Sequence, residues 1–331
     1  MKKKQAFILC CLVAISFQLR AGEVPEDHIH GQQTCSQCHT TEVDMGPLIA
    51  SETSCKKCHA PDEIEQILAR SGSTASELLP SRSSPQAMTM YYAKSRFADQ
   101  PHEMVLIAAG EFVMGTDDRL ADEGPAHPVF LPAFYIDRYE VTNLQYKKFI
   151  DDTERASPAH FRNRTFPEGK SDHPVTYVSW LDAGDYCAWA GKRLPIDQEW
   201  EKAARGVDQR TFPWGNEFKE QNANTPVRWK SLGQFGDTTP VGMFSAGVSP
   251  YGLYDMSGNV WEWTASWYEA YPGNATHSEN YGKRYKTLKG GSWFNCSFYQ
   301  CGISAPVYNR AFFAIKVKND TFGFRCAKDN N

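Results

Sequence analysis

A chain of 331 residues with 41% hydrophobic residues has room for more than one domain. Removing the four N-terminal cations Lys2, Lys3, Lys4 and Arg20 takes the formal charge from −4 to −8, which excludes a nucleic-acid binder held by bulk charge. Ten cysteines are present, and four of them lie in two closely spaced Cys-x-x-Cys words.

The chain opens MKKKQAFILCCLVAISFQLRAG: three lysines, an apolar core from Ala6 to Ile15, then a polar shift. A bilayer span takes about 20 apolar residues, so this shorter run reads as a secretory signal over residues 1–22. Ala-Ile-Ser before Phe17 and Leu-Arg-Ala before Gly22 are both imperfect cleavage sites. Cys10 and Cys11 lie inside the apolar run without a lipobox and receive no function.

Between Thr34 and His59 the word Cys-x-x-Cys-His occurs twice. Two thiols that form thioethers to a porphyrin, followed at once by an iron-ligating histidine, are the pattern of c-type haem attachment. Cys35, Cys38, Cys55 and Cys58 are thus expected to carry two covalent haems, with His39 and His59 as proximal ligands. A zinc site built from the same four cysteines leaves both histidines unexplained. A thioredoxin-type pair needs an apolar strand before Cys35, which the sequence lacks. His28 and His30 are the candidate distal ligands, with Met45 as the runner-up. Covalent haem attachment and an export signal both point to the periplasm.

Composition divides the rest. Residues 23–62 hold few large apolar side chains, and so short a segment needs its haems as a core. Residues 63–102 are a short helix and linker. The helix is expected in PDEIEQILAR (61–70), with Ile64, Ile67 and Leu68 on one face, and a Ser/Pro-rich stretch follows. From 103 to 331 the chain is dense in aromatics, glycine and short β-like runs such as MVLIAAGEFVMG, a single domain of about 230 residues. In it, SWLDAGDYCAWA predicts a helix with Trp180, Ala183, Tyr186, Cys187 and Ala190 inward, and PIDQEWEKAAR a second with Trp200, Ala203 and Ala204 inward. Gly191 and Pro195 punctuate the two.

The run HPVTYVSWLDAGDYCAWAGKRLPIDQEWEKAARG resembles the formylglycine-generating enzyme, or sulfatase-modifying-factor, family. So do GEFVMGTDD, FYIDRYEVTNLQYKKF, FPWGNEF, TTPVGMFSAGVSPYGLYDMSGNVWEWTASWY, LKGGSW and the closing GFRCAKD, in the family's order. The resemblance implies an α+β, C-type-lectin-like fold with little regular secondary structure, here preceded by the small haem-organised segment. It also implies calcium bound largely by backbone carbonyls. Carried over by position, one calcium site uses Asp255, Gly258 and Val260 with the Glu262 side chain, and a looser second uses Asn224, Thr225 and Asp237. The family pairing implies a Cys187–Cys326 disulfide closing a loop of about 139 residues.

Cys296 and Cys301 stand five apart after Ser292, as do the copper-binding catalytic cysteines of the oxygen-dependent family members. Cys296 is one residue further from Ser292 than in the family, and CGISAPVYNR replaces the expected arginine-rich stretch. A disulfide or inert thiols is the first reading of this pair. Copper–thiolate oxidation of a substrate, with Ser292, Cys296 and Cys301 catalytic, and a redox dithiol coupled to the haems are the alternatives. The expected protein is a periplasmic dihaem cytochrome acting in electron transfer with redox partner proteins. Its large domain docks a partner or binds a peptide or small-molecule ligand, and if it is an enzyme it is an oxidoreductase. A soluble carrier and one riding on a membrane complex fit equally.

Overall fold

The computed structural model describes residues 29–30, 33–34, 95–97, 99, 101–294 and 305–330. The chain divides into two compact units, Met1–Ser84 and Pro85–Asn331. In the first, strand β1 (Ile29–His30) pairs antiparallel with β2 (Gln33–Thr34), His30 opposite Gln33. The signal, both haem words, His28, Met45 and the helix expected at 61–70 lie outside the described residues.

The second unit is built from short elements. MVLIAAGEFVMG resolves into two strands in different sheets, β3 (Met104–Ile107) and β4 (Gly110–Met114). β4 forms a hairpin with β5 (His127–Leu131). β6 (Phe134–Asp137) is the centre of a three-stranded antiparallel sheet, flanked by β3 and the C-terminal β11 (Ala327–Asp329). Four-stranded pairing in the order β10-β7-β8-β9 joins β7 (Trp261–Trp267), β8 (Lys286–Lys289), β9 (Ala311–Phe313) and β10 (Phe322–Gly323), with only β10 parallel to its neighbour.

The helices start where side chains satisfy their first backbone donors. In α1 (Asn143–Thr153) Thr142 Oγ1 accepts from Gln145 N while Gln145 Oε1 accepts from Thr142 N, a reciprocal cap. Ser179 and Asp182 do the same for α2 (Trp180–Trp189), and Gly191 beyond its end takes a left-handed φ of 69°. Ala183, Tyr186 and Cys187 of α2 are buried among Tyr146, Phe149, Trp263 and Phe324. Trp200, Ala203 and Ala204 of α3 (Asp197–Arg205) are fully buried in a second cluster with Ile107, Phe134 and Leu253. Both inward faces match the periodicity. The charged members of α3 are buried too: Glu201 accepts from Lys289 Nζ at 2.9 Å and from Arg205 at 3.1 Å, and Lys202 Nζ donates to the carbonyls of Ala108 and Gly110.

The folded domain reaches back into the stretch expected as linker. Arg96 donates to the Val241 carbonyl, and the rings of Phe97, His102 and Tyr139 pack within 5.0–5.3 Å of one another. Burial pushes the His102 imidazole down to about 3, so it packs as a neutral ring.

Cys187 and Cys326 form a disulfide, Cα–Cα 5.7 Å, that ties α2 to the residue before β11. Beside it Arg193 and Ala327 exchange backbone hydrogen bonds of 2.7 and 2.8 Å. Replacing both cysteines by alanine is expected to lower the unfolding free energy by about 2–5 kcal/mol. Urea unfolding of the variant measures this, and an unchanged midpoint would show that the crosslink contributes nothing.

Candidate functional site: a buried carboxylate cluster beneath the 255–260 loop

The loop before β7 turns sharply, with positive φ at Asp255 (58°), Gly258 (85°) and Asn259 (61°). Gly258 has no room for a side chain, since a Cβ there would lie 2.2 Å from the Asn224 carbonyl oxygen. Asn259 is the hub. Its Nδ2 donates to Glu140 Oε2 at 2.6 Å, its Oδ1 accepts from Asn224 Nδ2 and Thr239 N at 3.0 Å, and its backbone N–H donates to the Asn224 carbonyl at 2.8 Å.

Beneath the loop sits Arg325, with none of its surface exposed. Its Nε and Nη2 each donate to Glu262 at 2.7 Å, and Nη2 also reaches the Tyr254 carbonyl at 2.9 Å. Trp200 Nε1 donates to the same carboxylate at 2.9 Å. Two further acids, Glu140 and Asp255, are buried within electrostatic reach of this pair. Burial, then repulsion from Asp255 and Glu262, pushes the Glu140 carboxyl well above its usual range. Burial also lifts Asp255 to about 6. Three acidic side chains therefore surround one buried guanidinium, and of the three only Glu262 is hydrogen-bonded to it.

Both ends of the segment that carries Cys296 and Cys301 rest on this loop. Trp293 N donates to the Asn259 carbonyl at 2.9 Å, and Ser257 Oγ donates to the Ala305 carbonyl at 2.5 Å. Ser292 is buried, and its Oγ accepts from Phe294 N at 3.3 Å. Cys296 and Cys301 themselves lie outside the described residues.

Asp255 and Glu262 lie within electrostatic reach of each other and of Glu140 and Arg325, and Asn259 binds Glu140; the sequence reading did not single out Glu140, Asn259 or Arg325. Among the described residues no three His, Cys, Asp or Glu side chains form a metal-holding group by themselves. A cation here would thus depend on backbone carbonyls, as the resemblance implies. Both Glu262 oxygens already accept from Arg325 and Trp200, so a hard divalent ion such as calcium would have to draw on backbone oxygens and on the neighbouring acids. The looser second set is differently arranged. Asn224 joins the platform, but its Oδ1 accepts from Trp229 Nε1 at 2.6 Å, and the exposed Asp237 carboxylate pairs with Lys170 at 2.7 Å. Thr225 Oγ1 is buried without a hydrogen-bond partner.

A compact α+β domain with few helices and a glycine-rich loop set over buried acids describes a class that comparison then names. Residues 91–330 match the sulfatase-modifying factor enzyme 1-like domain, and the chain belongs to that FGE-sulfatase family. It is 32% identical over 290 residues to the formylglycine-generating enzyme of Bos taurus, covering 70% of this chain and 75% of that protein. It is 33% identical over 276 residues to the inactive C-alpha-formylglycine-generating enzyme 2 of Mus musculus, covering 69% and 86%. Among solved structures, PvdO from Pseudomonas aeruginosa is similar with a TM-score of 0.56 and 28% identity over 70% of this chain and 96% of its own.

Arg325→Met removes the one guanidinium that faces Glu262 and leaves three buried acids. The variant is expected to lose about 3–5 kcal/mol of stability. Denaturant unfolding of the purified variant reads this directly, and a loss below about 1 kcal/mol would contradict the central place given to the pair.

Proposed function

We propose that the protein is an exported, periplasmic dihaem c-type cytochrome whose large domain docks a redox partner or binds a ligand. The observation that carries the reading is the doubled Cys-x-x-Cys-His word, whose donor set of two thiols and one histidine suits covalent haem. Cys35 and Cys38 hold one haem and Cys55 and Cys58 the other. His39 and His59 take the proximal positions, and His28 and His30 are the candidates for the distal ones. When bound, each haem supplies one-electron oxidation and reduction at its iron.

The family includes proteins named as formylglycine-generating enzymes and as an inactive relative, so membership leaves the chemistry of this domain open to its own residues. The displaced Cys296 and the missing arginine-rich stretch after Cys301 support a docking role over substrate oxidation. Asp255, Gly258, Val260 and Glu262 are proposed to hold calcium, which would compensate the excess buried carboxylate and stiffen the loop.

Intact mass of the chain, made in a periplasm competent for haem attachment and alkylated with and without mild reduction, tests this. Two added haems are expected, with Cys296 and Cys301 unlabelled unless the protein is denatured. A mass without haem overturns the cytochrome reading. Ready labelling of Cys296 and Cys301, with Cys187 and Cys326 protected, would instead favour thiol or copper chemistry.

A further inference from the structure

Helix α4 (Pro226–Leu232) buries none of its residues, whereas α1, α2 and α3 each bury several. So short a helix is marginal without packing. It is held at its ends by Pro226 in the first turn and a left-handed Gly233 after the last, and in its middle by the Trp229 indole bond to Asn224. The apolar side chains around it face outward: Leu232 is 49% exposed, Phe235 62% and Phe294 54%. Gly236 makes them one surface. A Cβ at that position would lie 2.6 Å from the Trp293 ring and 2.9 Å from Trp229, so only glycine lets the two indoles close on this turn. Phe294 continues the surface, 5.3 Å from the Trp293 ring.

The charge here is opposite to that of the chain as a whole, which is −4. Lys219, Arg228 and Lys230 enter no ion pair among the described residues, and Arg228 lies 5.2 Å over the Phe244 ring. Of the acids between 217 and 237, Asp237 is paired with Lys170, while Glu220, which accepts from Ser231, and Glu217 stand against the three cations, a net charge of +1. The cavity of about 320 Å³ lined by Trp180, Ala188, Leu194 and Ala265 does not include this surface, which offers an exposed face to a chain and not a pocket to a small molecule.

We propose that α4, with Phe235, Trp293 and Phe294, docks a segment of a partner protein that carries apolar side chains flanked by carboxylates. This deepens the docking reading above and rests on it. The apolar residues give the contact its area, while the unpaired cations select the sign of the partner's charge. An occupant here touches Trp293 and Phe294, which precede Cys296 and Cys301 in the chain.

Calorimetric titration of the full haem-loaded chain with two synthetic peptides tests the proposal. One alternates Glu with Leu and Phe, and the other has Lys for every Glu. The acidic peptide is expected to bind, more weakly as salt rises, and the basic one not to bind. Phe235→Ser, and Arg228→Glu with Lys230→Glu, change half-buried or exposed positions, and each should weaken binding about tenfold or more with the thermal melt unchanged. Equal binding of both peptides, binding of neither, or unaltered binding by the variants overturns the proposal. So does concentration-dependent dimerisation abolished by the charge reversal, which would make a second copy the occupant. A haem-loaded chain that ignores the acidic peptide sinks this face alone, whereas a chain without haem sinks the electron-transfer reading whatever the peptide does.

Discussion

The bidentate pair between Arg325 and Glu262 ties several distant parts of the large domain together at one buried point. It joins the residues between β10 and β11 to strand β7, draws in Trp200 from α3, and reaches the carbonyls of Asp137, Arg138 and Tyr254. At zero exposure neither ion has water to fall back on, so losing one partner costs far more than the pair contributes over a hydrophobic equivalent. Glu140 and Asp255 make the region more acidic than one guanidinium can balance. Such a cluster either keeps protons or gathers a cation.

That chemistry supports a platform. Asn259 is fixed by Glu140 on one side and Asn224 on the other, and its own carbonyl receives Trp293. Two residues earlier, Ser257 holds Ala305. Trp293 and Ala305 are thus both anchored on one loop, whose geometry depends on the acids beneath it. One scaffold can serve different roles in different family members.

Much of this was legible in the sequence where a local signal existed. The faces of α2 and α3 follow from spacing, and Gly191 and Pro195 mark the break between them. Asp255, Gly258, Val260 and Glu262 were named only through the family resemblance, since carbonyl sites carry no spacing of their own. Glu140 was not named, because its bond to Asn259 spans 119 residues and nothing near it marks it as buried. Arg325, Lys289, Glu201 and Lys202 were missed for a different reason. Periodicity assigns charged side chains to solvent, and only the fold reveals that Lys289 meets Glu201 across 88 residues in a fully buried pair. The linker ended earlier than composition suggested because Phe97 and His102 find an aromatic partner, Tyr139, that no local pattern announces.

The charge imbalance at Glu140, Asp255 and Glu262 is best examined by titrating calcium into the full chain after dialysis against a chelator, following heat and unfolding temperature together. If the cation completes the cluster, binding is saturable, and a hundredfold excess over Kd stabilises the protein by about 2.7 kcal/mol with a matching rise in Tm. No heat and an unfolding temperature identical in chelator and in calcium would contradict this, leaving the buried acids to be neutralised by protons alone.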